Sequence, residues 1–250
     1  MTITKNETKR DDIFAQPAKA VDDFDFGQTT AKVFDDMLDR SIPLYHELQR
    51  QIGELAAEFT QPGTNVYDLG CSTGITMETV RRVVPADVRI IGVDYSSAML
   101  IKARERFAAP SPGPAVELVE ADLNHPIEIR NASLVILNLT LQFVRPLYRD
   151  SLVKAVYEGL NDKGCLILVE KVLGNHSLIN RTFIKLYYDM KKRNGYSETE
   201  IARKREALEN VLVPYRLDEN LELLKRCGFA YSDVFYKWYN FSGVIAVKNP

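Results

Sequence analysis

The sequence predicts an α/β fold with a doubly wound, mostly parallel sheet of seven strands. Short runs of β-forming residues alternate with helical patterns up to residue 170, and the connections between them are short. A glycine, Gly70, directly follows the first strand. Two strand-like runs joined by a tight connection close the chain and indicate a hairpin beside the parallel strands. Right-handed crossovers then place the polar residues that end the strands at one edge of the sheet.

The elements follow in the order that this fold requires. After the first strand, strands are predicted over 89–93, 116–120, 134–138, 165–170, 231–239 and 244–248. Helices are predicted over 75–82, 97–107, 151–160 and 217–225, and a helical region over 31–59 breaks near Pro43. Two helical stretches, 175–195 and 197–212, have no strand between them. We interpret them as an insertion placed over the strand ends.

With 250 residues and 46% hydrophobic residues, the chain can bury one large core. We predict a flexible N-terminal segment over 1–30 and one ligand-binding domain over 31–250, which includes the helical insertion 174–213. The first thirty residues are polar and acidic, which is typical of a disordered segment. Phe24, Phe26 and Phe34 nevertheless form an aromatic set that a lid or a partner subunit could bury.

Composition excludes several kinds of partner. A net charge of −2 gives no general attraction to nucleic acid, so direct nucleic-acid binding is not expected. The three cysteines are far apart and have no histidine at metal-ligand spacing, which argues against a structural metal. The sequence has no apolar signal region and no run that approaches a membrane span. We therefore expect a cytoplasmic protein that does not contact membranes.

The spacing of Gly70 and Gly74 indicates which ligand the first turn receives. A dinucleotide site requires Gly-x-Gly-x-x-Gly, whereas this turn is Gly70-x-x-x-Gly74, with Cys71 and Ser72 inside it. Asp68, just before the turn, suits a cationic group better than a phosphate. The ammonium of an amino acid is such a group, so S-adenosylmethionine (SAM) fits this turn better than NAD.

Acidic residues follow the next two strands. Asp94 stands where nucleotide-binding α/β folds place the acid that accepts ribose hydroxyl hydrogen bonds; the alternative is a role as helix N-cap. Tyr95 is a candidate for the adenine side. Asp122, followed by Leu123, stands where such folds often hold the adenine amino group; a solvated loop aspartate is the alternative.

Two further residues are candidates for the ligand cleft. Tyr45 lies in the first turn after the break at Pro43, and it is either a half-buried structural tyrosine or a cleft residue. Asn138 interrupts an apolar strand, and a buried amide needs hydrogen-bond partners, so we expect it to face a cleft or a polar network.

The second insertion helix carries basic residues beside an apolar face. Ser197-x-x-Glu200 matches a capping box and predicts where this helix begins. At helical spacing, Arg205 lies next to a stripe that includes Ile201, so its guanidinium either extends to solvent or binds an anion. Lys204 flanks the other edge of the stripe. Residues 191–193, all basic, are interpreted as a solvated helix end.

The chain resembles the bacterial carboxy-S-adenosylmethionine synthase family from about residue 34 to residue 248. The resemblance rests on these runs: Arg40-Ser41-Ile42-Pro43-Leu44-Tyr45, Val66-Tyr67-Asp68-Leu69-Gly70-Cys71-Ser72, Leu137-Asn138-Leu139-Thr140-Leu141-Gln142-Phe143, and Lys192-Arg193-Asn194-Gly195-Tyr196-Ser197-Glu198. The Asn-Gly-Tyr-Ser-Glu run is far more specific than a glycine turn.

The resemblance implies a class I SAM-dependent methyltransferase fold, Rossmann-like, that forms a homodimer. It implies a synthase that converts SAM and prephenate to carboxy-SAM and phenylpyruvate, for the oxyacetyl modification of tRNA wobble uridine. It also implies these ligand contacts, with Arg205 as the catalytic-site residue on the added carboxylate: Tyr45, Gly70, Cys71, Ser72, Asp94, Tyr95, Asp122, Leu123, Asn138 and Arg205. No side chain stands out as a base, which fits a base derived from the substrate.

Some positions depart from the family pattern. They are Thr73, Val172, residues 213–215, Lys237 and Trp238. Because such changes can alter a second-substrate pocket, a SAM-dependent methyltransferase of a small metabolite is the alternative function. A SAM-binding protein without catalysis is a third hypothesis.

Overall fold

A seven-stranded sheet organises the chain, whose computed structural model describes residues 9–15, 22–109 and 112–250. The strands are β1 (Asn65–Leu69), β2 (Arg89–Asp94), β3 (Ala115–Glu120), β4 (Ala132–Asn138), β5 (Leu160–Lys171), β6 (Tyr231–Trp238) and β7 (Phe241–Val247). Their order is β3-β2-β1-β4-β5-β7-β6. Strands β1 to β5 are parallel, and β7 runs antiparallel between β5 and β6. The predicted fold class is confirmed.

Helices cover both faces of the sheet. They are α1 (Gln28–Ala31), α2 (Phe34–Ser41), α3 (Tyr45–Phe59), α4 (Ile75–Arg81), α5 (Ser97–Phe107), α6 (Pro146–Gly159), α7 (Ser177–Arg193), α8 (Glu198–Leu208) and α9 (Leu217–Arg226). Helices α7 and α8 form the predicted insertion after β5. The strand order reverses between β1 and β4, which is where open α/β sheets form a ligand crevice at the carboxyl ends of their strands.

Alternate residues of the central strands enter two different cores. In β4, Val135 and Leu137 pack with the cluster under α6 and α9, whereas Leu134 and Ile136 pack with the cluster under α3 and α4. All four side chains are fully buried. A strand that is buried on both faces has an apolar run in place of an alternating pattern, which explains the run that Asn138 interrupts.

Several predicted element limits were wrong. Helix α6 begins at Pro146, not at residue 151, because proline is suited to the first helical turn. Strand β5 begins at Leu160, not at residue 165, and contains a left-handed residue at Lys163. Strand β7 begins at Phe241, which makes the hairpin connection shorter than predicted. Helix α8 ends at Leu208, before the predicted residue 212.

The described part of the predicted flexible segment packs against the domain. Asp11 is buried, and the backbone N–H of Phe24 donates to the carbonyl of Ala207 at 2.9 Å. The ring centroids of Phe26 lie 5.1 Å from Phe24 and 6.1 Å from Phe34, so the aromatic set packs within one chain. Residues 1–8 and 16–21 lie outside the described residues, and the division of the chain at residue 30 stays a prediction.

No helix within the described residues is both long and apolar enough to cross a bilayer.

Candidate active site

A cavity of about 360 Å³ lies at the carboxyl ends of β1 to β5, under α7 and α8. All the residues predicted to bind the ligand line it: Tyr45, Asp68, Gly70, Cys71, Ser72, Asp94, Tyr95, Asp122, Leu123, Asn138 and Arg205. They come from the ends of four strands, from α3 and from the insertion. The structure thus brings them into one site, while their contacts with a ligand stay predictions.

In the turn after β1, the backbone of Gly70 lines the cavity without a side chain. Gly70 has φ +80°, and a Cβ there would lie 2.5 Å from Oγ1 of Thr140. The N–H groups of Gly70 and Cys71 both donate to the carbonyl of Val93, at 2.7 and 3.0 Å, which fastens the turn to β2. Only glycine combines this conformation with this close approach. The turn is therefore held against β2 and leaves room for a ligand beside its backbone.

Asp68 and Asn138 present buried oxygens that have no partner. Oδ2 of Asp68 and Oδ1 of Asn138 are buried and accept no hydrogen bond from the residues that the structure describes. Burial, with Asp94 nearby, raises the pKa of Asp68 to about 7. A buried acceptor without a donor is costly, so both oxygens suit a cationic donor such as the SAM ammonium. The residues of this end of the cavity thus fit SAM.

Asp94 is held in place by backbone donors. Its Oδ2 accepts from Ser72 N–H at 2.9 Å and its Oδ1 accepts from Ser96 N–H at 2.8 Å. Burial raises the pKa of this carboxyl group, which these hydrogen bonds oppose. The N-cap of α5 is Ser96, whose Oγ accepts from Met99 N–H at 3.2 Å. The alternative role of Asp94 as helix N-cap is therefore wrong, and its predicted ribose contact stays open.

Tyr95 and Asp122 flank the outer part of the cavity. Tyr95 is 55% exposed, and its ring meets Phe26 edge-on with the centroids 6.1 Å apart. Oδ1 of Asp122 accepts from Asn124 N–H at 2.9 Å and from Asn124 Nδ2 at 2.8 Å. Asp122 is thus tied to its own turn and lines the cavity, which leaves its second oxygen, near His125, for other donors.

Tyr45 lies at the cavity because the chain breaks between α2 and α3, as predicted. Leu44 takes a left-handed conformation with φ 50° between α2 and α3, and α3 begins at Tyr45. The tyrosine is buried and lines the cavity, and burial raises the pKa of its hydroxyl. Of the two interpretations, the structure favours the cleft residue.

The insertion helix begins where the sequence predicts it. Oγ of Ser197 accepts from Glu200 N–H at 3.2 Å, and Oε2 of Glu200 accepts from Ser197 N–H at 2.7 Å. Arg205 on this helix is exposed and lines the cavity. Within the described part of the chain, its guanidinium has no hydrogen bond and no ion pair. Arg205 therefore remains available to an anion.

One prediction about lysines was wrong and another was incomplete. Lys204 flanks the stripe that includes Ile201, but the sequence did not predict that it is buried, with its Nζ 3.4 Å from Asp11 Oδ2 and 3.2 Å from Ser41 Oγ. Lys191 is not part of a solvated helix end: it is only 5% exposed and lines the cavity, whereas Lys192 next to it is exposed. Both depend on how α7 and α8 pack together, which local sequence does not reveal.

Sequence reasoning also missed other residues of the cavity wall. Lys171, at the end of β5, lines the cavity together with Tyr187 and Tyr188 of α7 and with Phe241 of β7. The only signal for Lys171 was its place at a strand end, which the other predicted residues share. Among the described residues, no group of three or more His, Cys, Asp and Glu side chains is placed to hold a metal ion.

Two relatives of similar sequence carry the same name. The chain is 58% identical over 240 residues to the carboxy-S-adenosyl-L-methionine synthase of Methylococcus capsulatus. The alignment covers 96% of this chain and 99% of the relative. It is 42% identical over 241 residues to the enzyme of the same name from Desulfotalea psychrophila, with 96% and 98% of the two chains covered. A family model for a methyltransferase domain matches residues 66–164.

Solved structures agree on the fold. A putative S-adenosyl-L-methionine-dependent methyltransferase from Methanococcus maripaludis superposes with a TM-score of 0.61 at 16% identity, covering 93% of this chain and 98% of that one. The S-adenosylmethionine-dependent methyltransferase SibL superposes with a TM-score of 0.58 at 16% identity, covering 88% and 57%. The fold is therefore that of class I SAM-dependent methyltransferases, and the sequence relatives show that this chain belongs to the carboxy-S-adenosyl-L-methionine synthase family.

Proposed function

We propose that this protein converts SAM and prephenate to carboxy-SAM and phenylpyruvate. The observation that carries this proposal is that one cavity joins two opposite electrostatic regions. Buried carboxyl groups at its strand ends, Asp68 among them, suit the cationic groups of SAM, and the exposed guanidinium of Arg205 suits a new carboxylate. A ligand that is SAM at one end and carries an added carboxyl group matches both.

The reaction balances without a redox partner. The bond between the prephenate ring and its ring carboxylate breaks, CO₂ forms, and the electron pair enters the ring while the ring hydroxyl departs as hydroxide. Hydroxide removes a proton from the SAM methyl group, which the sulfonium acidifies, and a bond forms between that carbon and CO₂. The products are carboxy-SAM, phenylpyruvate and water.

The protein then has to orient the substrates and exclude water. Tyr45, Tyr187 and Phe241 give the cavity apolar walls, and α7 and α8 cover it, so CO₂ and hydroxide are retained where they form. Arg205 stabilises the carboxylate of the product. Because the base comes from the substrate, the protein needs no general base of its own in this scheme.

The departures from the family pattern give little support to the alternative, a methyltransferase of a small metabolite. Nζ of Lys237 donates to the carbonyl of Tyr239 at 2.6 Å, and Trp238 packs edge-on against Tyr239 with the centroids 4.7 Å apart. Neither Lys237 nor Trp238 is among the described residues that line the cavity. Thr73 and Pro214 do line it, although the hydroxyl of Thr73 donates to Asp35 at 2.6 Å.

The same proposal includes the setting of the enzyme. Its product would serve the oxyacetyl modification of the tRNA wobble uridine in the cytoplasm, with no direct contact between this chain and nucleic acid. We also propose that the chain works as a homodimer, because the exposed Arg205 lies at the cavity rim, where a second subunit could close the site.

The test is mass spectrometry of the small molecule released when freshly purified protein is denatured, together with turnover of SAM and prephenate. A released mass that exceeds SAM by one CO₂ unit, and phenylpyruvate formed one-for-one with carboxy-SAM, is the expected result. Release of only SAM or its demethylated product, with no turnover of prephenate at high enzyme concentration, would contradict the proposal.

A further inference from the structure

We propose that Lys171 and Lys191 form a second anion site in the cavity, which binds the 2-oxo acid carboxylate of the second substrate. This inference rests on the proposed function for the identity of the substrate. It assigns to the lysine pair the carboxylate that prephenate keeps when it becomes phenylpyruvate, and it leaves Arg205 for the carboxylate that SAM gains.

The two lysines come from different elements and meet at one aromatic ring. Nζ of Lys171, at the end of β5, lies 5.3 Å from the Tyr187 ring centroid, and Nζ of Lys191 in α7 lies 4.9 Å from the same centroid. Both side chains line the cavity, and Lys191 is only 5% exposed. Both ammonium groups thus lie within 5.3 Å of one ring in the cavity wall, and the charge of Lys171 is close enough to lower the pKa of Lys191.

Neither ammonium group has a counter-ion. Within the described residues, Nζ of Lys171 and Nζ of Lys191 make no hydrogen bond and no ion pair. The next lysine, Lys204, is different because Asp11 and Ser41 contact its Nζ at 3.4 and 3.2 Å. Glu170 does not reach the pair either: its Oε1 accepts from Leu141 N–H at 2.9 Å, on the other face of β5.

This arrangement is unfavourable until an anion arrives. Burial lowers the pKa of Lys171, and burial together with the charges of Lys204 and Lys171 lowers the pKa of Lys191, which Asp11 only partly opposes. Two buried cations without a partner destabilise a protein, whereas a carboxylate placed between them accepts charge-assisted hydrogen bonds from both. The aromatic ring of Tyr187 supplies some compensation through cation–π contacts.

The chemistry indicates which carboxylate of the substrate binds here. The ring carboxylate becomes neutral CO₂, so an ammonium group that binds it stabilises the reactant and loses that contact in the transition state. The carboxylate of the 2-oxo acid side chain keeps its charge throughout the reaction. Binding it at Lys171 and Lys191 orients the substrate and leaves the ring carboxylate unpaired, which favours its loss.

The experiment compares Lys171→Met, Lys191→Met and a control, Lys192→Met, whose ammonium group is exposed and pairs with Glu198. Methionine keeps the length of the side chain and removes the charge. Calorimetry measures the Kd of phenylpyruvate, of phenylacetone, which lacks the carboxylate, and of SAM; kinetics measures KM and kcat with prephenate.

We expect each cavity variant to raise the KM of prephenate and the Kd of phenylpyruvate about tenfold or more, while the Kd values of phenylacetone and SAM stay within twofold. The control variant behaves as the wild type. Unchanged phenylpyruvate binding, or an equal loss for phenylpyruvate and phenylacetone, would overturn the site.

The same data separate this inference from the proposed function. If the wild type does not turn over prephenate but binds phenylpyruvate in a manner that needs both lysines, the anion site stands and the proposed function fails. If turnover occurs and the lysine variants bind phenylpyruvate as the wild type does, only the anion site fails.

Discussion

Nζ of Lys204 lies 3.4 Å from Oδ2 of Asp11, and both side chains are almost fully buried. The hydroxyl of Tyr196 donates to the same Asp11 oxygen at 2.5 Å, and the guanidinium of Arg40 lies 3.9 Å above the Tyr196 ring. The contacts of Asp11 with Lys204 and Tyr196 hold α8, which carries Arg205, against the described residues 9–15. The position of the cavity wall therefore depends on a charge pair that joins two distant parts of the sequence.

Asp11→Ala should lower the free energy of unfolding by about 2–3 kcal/mol, because it leaves Lys204 buried without its counter-ion. The loss is limited because burial already lowers the pKa of Lys204 to about 8, so this group can release its proton at modest cost. Urea denaturation measures the effect. Asp12→Ala, at the exposed neighbour, should change stability by less than about 0.5 kcal/mol, and equal losses in the two variants would contradict a specific buried pair.

Gly70→Ala should destabilise the protein and weaken SAM binding at least about tenfold, because the new Cβ would collide with Thr140 at the cavity wall. Gly63→Ala is the matched control: Gly63 has a similar φ of +70°, but a Cβ there would meet only Asp87, at 3.9 Å. Gly63→Ala should lower the free energy of unfolding only by the cost of placing alanine in the left-handed conformation, about 1–2 kcal/mol. Calorimetric titration with SAM and thermal melts of both variants test the difference, and equal effects would show that the approach to Thr140 has no role.

The sequence predicted the fold, and the residues that it marked as ligand contacts line one cavity, for a physical reason. Gly70, Asp94 and Asn138 all stand at ends of predicted strands, and parallel topology places such ends at one edge. Local patterns were enough here because periodicity identifies each strand and helix, and the crossover connections between strands make them parallel. Ser197 and Glu200 likewise marked the start of α8 because a capping box involves only neighbouring residues.

The basic side of the cavity could not be predicted in this way. In the sequence, Lys171 ends a predicted strand, Lys191 belongs to a basic run at a helix end, and Lys204 lies at the edge of an apolar stripe, and none of these positions by itself requires burial. Lys191 and Lys204 are buried, and Lys171 is partly buried, because α7, α8 and the described N-terminal residues pack over the sheet. Contacts between residues that are far apart in sequence decide such burial, and hydrophobic periodicity carries no information about them.

SAM binding should strengthen as the pH rises from 5.5 to 7, by about tenfold, because Asp68 has to be ionised to pair with the ammonium of SAM. Burial raises the pKa of Asp68 to about 7 from an ordinary value of 3.8, so the carboxyl group is mostly protonated at the lower pH. The raised pKa also means that the free protein loses stability from this group as the pH rises through 7. The increase in melting temperature on adding SAM should therefore grow with pH.

Asp68→Asn should remove most of this pH dependence and weaken SAM binding at neutral pH. Asp233→Asn, at an exposed position of β6, is the control and should keep the wild-type profile. Titrations at several pH values measure both. A pH dependence that persists in Asp68→Asn would assign it to another group, with Asp94 as the next candidate, since burial also raises its pKa.

Arg205→Ala should raise the Kd of carboxy-SAM about ten- to a hundredfold and change the Kd of SAM by less than about twofold. The guanidinium has no partner within the described residues, so its removal exposes no buried charge and the fold should remain intact. Arg193→Ala, which removes an exposed arginine at the end of α7, is the matched control. Competition calorimetry with the two ligands provides the readout.

The ratio of the Kd values of SAM and carboxy-SAM tests the role of Arg205, because every effect that is common to both ligands cancels in it. Arg205→Lys should recover only part of the preference for carboxy-SAM, since a lysine cannot donate two parallel hydrogen bonds to one carboxylate. If Arg205→Ala lost equal affinity for SAM and for carboxy-SAM, Arg205 would support the cavity wall and would not bind the added carboxylate. A loss confined to carboxy-SAM would instead mean that this single exposed side chain distinguishes the product from the substrate.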